Sequence, residues 1–270
     1  HNLGAEDLTA LLNNQIALLA EERGQAWGFA CIQDEARPVT LPVTAPTRAY
    51  LRALSLARGR APSLYVTELI NATLPYLQWS PQGHLLIAYA DADWLRPPLF
   101  GAGFILAEEV QFFELDRLRR WQPQASPSDP LLHLCAGRVA DLPALALLDA
   151  AAFPPLWHFD ESALHELLFT SRLQVASMAG AIVGYTALST SESSAHLARL
   201  AVHPHFQGHG LGRHLLEDAL HYAQAQGIDT VMLNTQVHNR TAQHLYRSVG
   251  FHTTGRITPV LTGQIGAAPS

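Results

Sequence analysis

The chain has no lysine; its basic residues, histidine aside, are all arginine. No side chain here forms a Schiff base, acts as an amine base or clamps a phosphate as an ammonium does. Cysteine is almost as scarce. Cys31 and Cys135 lie far apart with no partner at metal-site spacing, which argues against a disulfide scaffold or a zinc ribbon and fits a reducing compartment. Charged residues are only 15% of the chain and the formal net charge is −6, so no nucleic-acid partner is expected, since that needs a basic face. No apolar run reaches the roughly 18–20 residues of a membrane span, and no secretory leader pattern is read at the start. The expectation is a cytoplasmic protein with no membrane partner.

What is present is apolar material for a core. With 48% hydrophobic residues in 270, the chain is globular and has room for one large domain or two modest ones. The segment Gln122-Pro123-Gln124-Ala125-Ser126-Pro127-Ser128-Asp129-Pro130 reads as a linker between halves of similar length.

The most informative run is Val202-His203-Pro204-His205-Phe206-Gln207-Gly208-His209-Gly210-Leu211-Gly212-Arg213. It joins an apolar stretch, His196 to Val202, to an amphipathic helix through glycines at alternate positions. Such a loop turns backbone N–H groups toward one point, and the helix adds its own unsatisfied N–H groups and positive dipole end, making a phosphate cradle. The spacing matches neither Gly-x4-Gly-Lys-Ser/Thr nor Gly-x-Gly-x-x-Gly. Downstream, Leu211, Leu215, Leu216, Ala219, Leu220 and Ala223 fall at helical spacing, with a stop at Gly227. Thr230 to Asn234 reads as a buried strand. Asn239 then caps a short helix with the stripe Ala242, Leu245, Tyr246 and Val249, ended by Gly250.

Earlier in the C-terminal half, a strand is expected from Leu131 to Cys135, helices from about Ala140 to Ala152 and after Asp160, and a strand pair turning at Ala179-Gly180. In the N-terminal half, Gly83 to Ala90 reads as a strand, Asp93 to Phe100 as a short helix or turn, and a strand follows Gly103-Phe104 to near Leu115. Aligned without gaps from Leu86 and Leu233, the two Gly-Phe pairs coincide, as in an internal repeat. An unrelated α/β domain sharing one Gly-Phe turn stays open as the alternative.

Gln207-Gly208-His209-Gly210-Leu211-Gly212 resembles the pyrophosphate-binding segment of the GNAT acyltransferases. Asn239, Ala242, Leu245, Tyr246, Gly250 and Phe251 resemble that family's second signature, Asn-x-x-Ala-x-x-Leu-Tyr-x-x-x-Gly-Phe. The resemblance implies an α/β fold with a mixed, mostly antiparallel central sheet flanked by helices, in tandem. Residues 1–121 would be a degenerate GNAT-like domain without cofactor motifs, since Ala92 and Leu99 stand where Asn239 and Tyr246 do. Residues 122–130 would be a linker, 131–262 the catalytic domain and 263–270 a flexible tail.

The implied reaction is transfer of an acetyl (acyl) group from acetyl-CoA to a primary amine, on a small molecule or a peptide, by direct attack in a ternary complex. Leu200, Ala201 and Val202 would hold the pantetheine arm, and Gln207, Gly208, His209, Gly210, Leu211, Gly212 and Arg213 would wrap the pyrophosphate. Asn234 and Asn239 would contact the arm, and Tyr246 would be the general acid for the leaving thiolate. Relatives that acetylate ribosomal-protein N-termini carry Glu where this chain has Asn234, and an amide accepts no proton. The base is therefore open between a water relay, His196 and Glu192, and a neutral amine needs none. The loop Phe153 to Asp160 either lines an acceptor slot or covers the core. A metal site on His205, His209 and His214 is not expected, because no His-Glu-x-x-His helix accompanies them. A different class, a non-catalytic acyl-CoA-binding or scaffold protein, is favoured by Asn234 and disfavoured by Tyr246 with Asn239.

Overall fold

A computed structural model describes residues 15–35, 40–42, 44–78, 80–123 and 131–265. Most of the linker, residues 124–130, and residues 266–270 of the expected tail lie outside the described residues. The chain forms two compact units. They divide within two long strands, between Val110 and Gln111 and between Arg256 and Ile257.

In the first unit, β1 (Ile16–Glu22), β2 (Gln25–Asp34) and β3 (Thr47–Leu56) are successively antiparallel, and β4 (His84–Tyr89) lies parallel to β3. Helix α1 (Pro62–Thr73) joins β3 to β4, and α2 (Arg96–Gly101) leads to β5 (Ile105–Leu115). The last strand, β11 (His252–Ile265), pairs antiparallel with β4 over Val260–Ile265. Residues 263–265 thus lie in this strand rather than in a tail: Gly263 sits close under the Phe104 ring, where a Cβ would come within 2.7 Å of it. Ile32, Ala49, Leu86, Ala88, Leu99, Phe104 and Leu261 form the unit's main core.

The second unit repeats this order with one strand and two helices added ahead of it. Strand β6 (Leu132–Ala136) is followed by α3 (Leu142–Ala152) and α4 (Glu161–Thr170). Then come β7 (Arg172–Met178), β8 (Ala181–Thr190), β9 (Ser194–Val202), α5 (Leu211–Ala225), β10 (Thr230–Gln236) and α6 (Arg240–Val249). Strands β6 to β9 are antiparallel neighbours, and β10 runs parallel to β9. With β11 following α6, this is the β-α-α-β-β-β-α-β-α-β order that the family resemblance implies for about residues 131–262.

Local chemistry accounts for the element ends. Ala179 and Gly180 both have positive φ, 48° and 82°, the geometry of a tight hairpin turn. Asp160 and Asn239 cap α4 and α6 by accepting from the N–H groups of Ala163 and Ala242. Gly250, at φ 113°, closes α6 in the left-handed conformation.

One face of this unit's sheet packs Leu188, Leu197, Val231 and Leu233 against Leu216, Ala219 and Leu220 of α5 and Tyr246 and Val249 of α6. The other face packs Leu173, Val175, Tyr185 and Ala201 against Leu145, Leu148 and Leu164 of α3 and α4. Burying each such leucine contributes roughly 1.5–3 kcal/mol.

Candidate active site

The site begins with an irregularity in β9. Ala187 pairs with Arg199 while Leu188 pairs with Leu197, so Ala198 is the extra residue of a β-bulge. The bulge changes which side chains face which layer. Ala195 and Leu197 pack on the α5 side, whereas Ala201 packs on the α3 side.

Pairing with β10 also stops here. Strand β10 is in register with β9 from Thr230–Met232 against Ser194–His196, so among the described residues Leu197 to Val202 run on without a partner strand on that edge. The His203 N–H donates to the Val183 carbonyl of β8. By strand alternation the backbone groups of Leu200 and Val202 then point the other way, into the gap, while those of Ala201 face β8.

The gap leads onto the glycine loop. Gly208 and Gly210 have φ of 81° and 84°, and a Cβ at either would meet open space, so the loop keeps a bare backbone at the cleft. Gly210 is the N-cap of α5 and its carbonyl accepts from the His214 N–H. The N–H groups of Leu211, Gly212 and Arg213 are the helix's open first turn, where an anion binds well. Gln207 ties the loop to the strand, its Nε2 donating to the Val202 carbonyl at 3.0 Å. The Arg213 guanidinium is steadied by Ser248 Oγ at 2.6 Å and by Glu217 at 3.5 Å.

Strand, loop and α6 enclose a cavity of about 460 Å³. Of the residues expected from sequence, Leu200, Ala201, Val202, Gln207, Gly208, Gly210, Gly212, Arg213, Asn239 and Tyr246 line it. His209, Leu211 and Asn234 do not: His209 is exposed, Leu211 is buried beside Leu215, and Asn234 is on the exposed face of β10. The wall also includes Ala152, Phe153, Thr241, His244 and Ser248, and among the described residues no carboxylate. Among the described residues, no group of three or more His, Cys, Asp or Glu has metal-holding geometry.

Tyr246 is packed between Phe113 and Phe251, each ring centroid 6.0 Å away. Burial pushes its phenol up to about 12, and the Arg199 charge pulls it partly back. The hydroxyl therefore stays protonated at any neutral pH, a donor and not an acceptor. His196, at the last paired position of β9 before the bulge, is pushed below its ordinary value by burial and is neutral at pH 7. Glu192 is exposed, two residues before β9.

Sequence reasoning missed one buried group. Asp149 of α3 accepts from Arg199 Nε at 2.8 Å, Arg199 Nη2 at 2.6 Å, the Tyr185 hydroxyl at 2.5 Å and the Phe159 N–H at 2.7 Å. The signal was present. Asp149 is the one acid in the apolar helix Leu142–Ala152, and Arg199 the one charge in the strand Ser194–Val202. Isolated charges in buried elements are expected to pair.

A parallel strand pair whose register ends at Met232 and His196, followed by a glycine loop and the first turn of α5, characterises this α/β unit. Residues 142–251 match the acetyltransferase (GNAT) family. The ribosomal protein bS18-alanine N-acetyltransferase of Haemophilus ducreyi is 39% identical over 71 residues, 26% of this chain and 49% of that protein. N-alpha-acetyltransferase RimI of Mycobacterium tuberculosis is 36% identical over 84 residues, 30% of this chain and 51% of that protein. The chain thus spans about half the length of these curated relatives. A tandem GNAT protein from the clavulanic acid biosynthesis pathway superposes with a TM-score of 0.64 at 16% identity, over 95% of this chain and 85% of that one, which shows the fold.

Proposed function

We propose that the second unit transfers an acetyl group from acetyl-CoA to a primary amine by direct attack, with both substrates held at once. The observation that carries this reading is the convergence of the open edge of β9, the glycine cradle and Tyr246 on one cavity. The first turn of α5, with Arg213, holds the pyrophosphate. The backbone of Leu200 and Val202 and the side-chain amide of Asn239 hold the pantetheine arm. The amine nitrogen bonds to the acyl carbon as the carbon–sulfur bond breaks. The proton lost from nitrogen goes to His196 through water, and Tyr246 donates to the departing sulfur. An acetyl-CoA assay against a panel of amines, following free thiol, tests this; thiol release that depends on the amine supports it. A chain that binds coenzyme A and turns over no amine would instead be an acyl-CoA-binding protein, the reading favoured by the cavity's lack of a carboxylate.

His196 gives the reaction a pH dependence. A base must be unprotonated, and burial already lowers the affinity of His196 for a proton. kcat/KM is therefore expected to fall on the acidic side, at a pH below the ordinary histidine value. His196→Gln should remove that acidic limb and slow turnover by about 10²–10⁴-fold. The same shift affects stability. The unfolded chain binds the proton more readily, so the contribution is full above the unfolded value of about 6.5 and is lost as pH falls through the folded one. A pH–rate profile whose acidic limb survives in His196→Gln would reassign the base.

A further inference from the structure

Arg199 is more completely held than any other cation near the cleft. Its guanidinium makes a two-point bond to Asp149 and donates from Nη2 to the Trp157 carbonyl at 2.7 Å. It also stacks between two rings, with Phe153 at 3.5 Å and Phe159 at 4.0 Å. Phe153, Trp157 and Phe159 all belong to the 153–160 connection between α3 and α4. His158 closes on the same connection, Nε2 lying 2.8 Å from the Phe153 carbonyl. One side chain of β9 thus fixes the connection at three points, and the connection contributes Phe153 to the cavity wall.

The position of Phe153 within the cleft follows from the strand. The cradle is at the Val202 end of the open edge, whereas Phe153 stacks on Arg199, three residues back, or roughly 10 Å at about 3.3 Å per residue. A thioester held phosphate-first along this edge ends beside Phe153 and the bulge.

We propose that Arg199 is the positioning residue for the acceptor side of the cleft. It clamps Phe153 and the 153–160 connection so that the amine meets the acyl end of the gap in one fixed geometry; this rests on the transferase reading above. A buried ion pair is a poor source of stability compared with a well-packed apolar replacement. Its use here is to specify where the wall stands.

The test separates holding the fold from holding the wall. Arg199→Lys keeps the charge and loses the planar fork and the stacking. The triple variant Asp149→Leu/Tyr185→Phe/Arg199→Met removes the pair without leaving a buried charge and is expected to stay folded. Each is read by melting temperature, coenzyme A affinity, amine KM and hydrogen exchange of the Trp157 N–H, which is bonded to the Pro154 carbonyl within the connection. The expected result is a rise in amine KM of about 10–100-fold with faster Trp157 exchange, in the range a wall displaced by an ångström gives. Coenzyme A affinity should change far less, within about twofold, because Arg213 and the first turn of α5 that hold the pyrophosphate are steadied by Ser248 and Glu217 and not by Arg199. An unchanged amine KM in a folded variant overturns the proposal, as does unchanged Trp157 exchange. A wild-type chain that acetylates no amine overturns the transferase reading instead, and the exchange measurement still decides whether Arg199 clamps the connection.

Discussion

Tyr246→Phe is expected to lower kcat by about 10²–10⁴-fold, or roughly 3–5 kcal/mol of barrier, while coenzyme A affinity stays nearly constant. The substitution keeps the ring between Phe113 and Phe251 and removes one hydroxyl from the cavity wall. Because burial holds the phenol up to about 12, the group is always in its donating form, and its acid role should impose no alkaline limb near neutrality. A high-lying phenol gives up its proton only as charge builds on sulfur, so its effect belongs to the transition state and to kcat. A fall of only a few fold would make Tyr246 a packing residue and leave protonation of the thiolate to water. Loss of affinity and melting temperature together would mean that the packing had been damaged.

Gly210→Val is expected to lower coenzyme A affinity at least about 100-fold, more than 2.7 kcal/mol. Gly210 holds φ at 84° as the N-cap of α5, a conformation that a β-branched residue adopts at a cost of about 1–3 kcal/mol. The backbone would relax away from that angle and turn the cradle's N–H groups off their common point. Any side chain kept in place would fill the open space that the glycine leaves for a phosphate. The unit's cores do not involve this position, so a modest drop in melting temperature is expected. Calorimetry giving wild-type affinity in the folded variant would reduce the loop to a turn.

Much of this site was legible because its devices are local. Asn239 as a cap and Gly250 as a left-handed stop each work within a few residues of chain, and both take the expected geometry; Gly208 and Gly210 have positive φ. The facing of Asn234 was also readable, since Val231 and Leu233 alternate with it and are buried. The bulge at Ala198 was not, because an extra residue shows only against the partner strand's register. The Asp149–Arg199 pair joins residues 50 positions apart, which no spacing rule connects. The division of β5 and β11 between the two units was hidden for the same reason: apolar alternation marks a strand and says nothing of which strands will flank it.

In the first unit, β3 also runs beyond its pairing with β4 and a helix follows. The connection is only residues 57–61, however, with Gly59 at φ 87° and Pro62 opening α1 without an N–H to offer. In the second unit, residues 203–210 give room for Gly208, Gly210 and an open first turn. The first unit is accordingly proposed to bind no coenzyme A. Calorimetric titration of the full chain with coenzyme A tests this most directly. One equivalent bound, abolished by Gly210→Val, is the predicted result; two equivalents, or one that survives Gly210→Val, would contradict it.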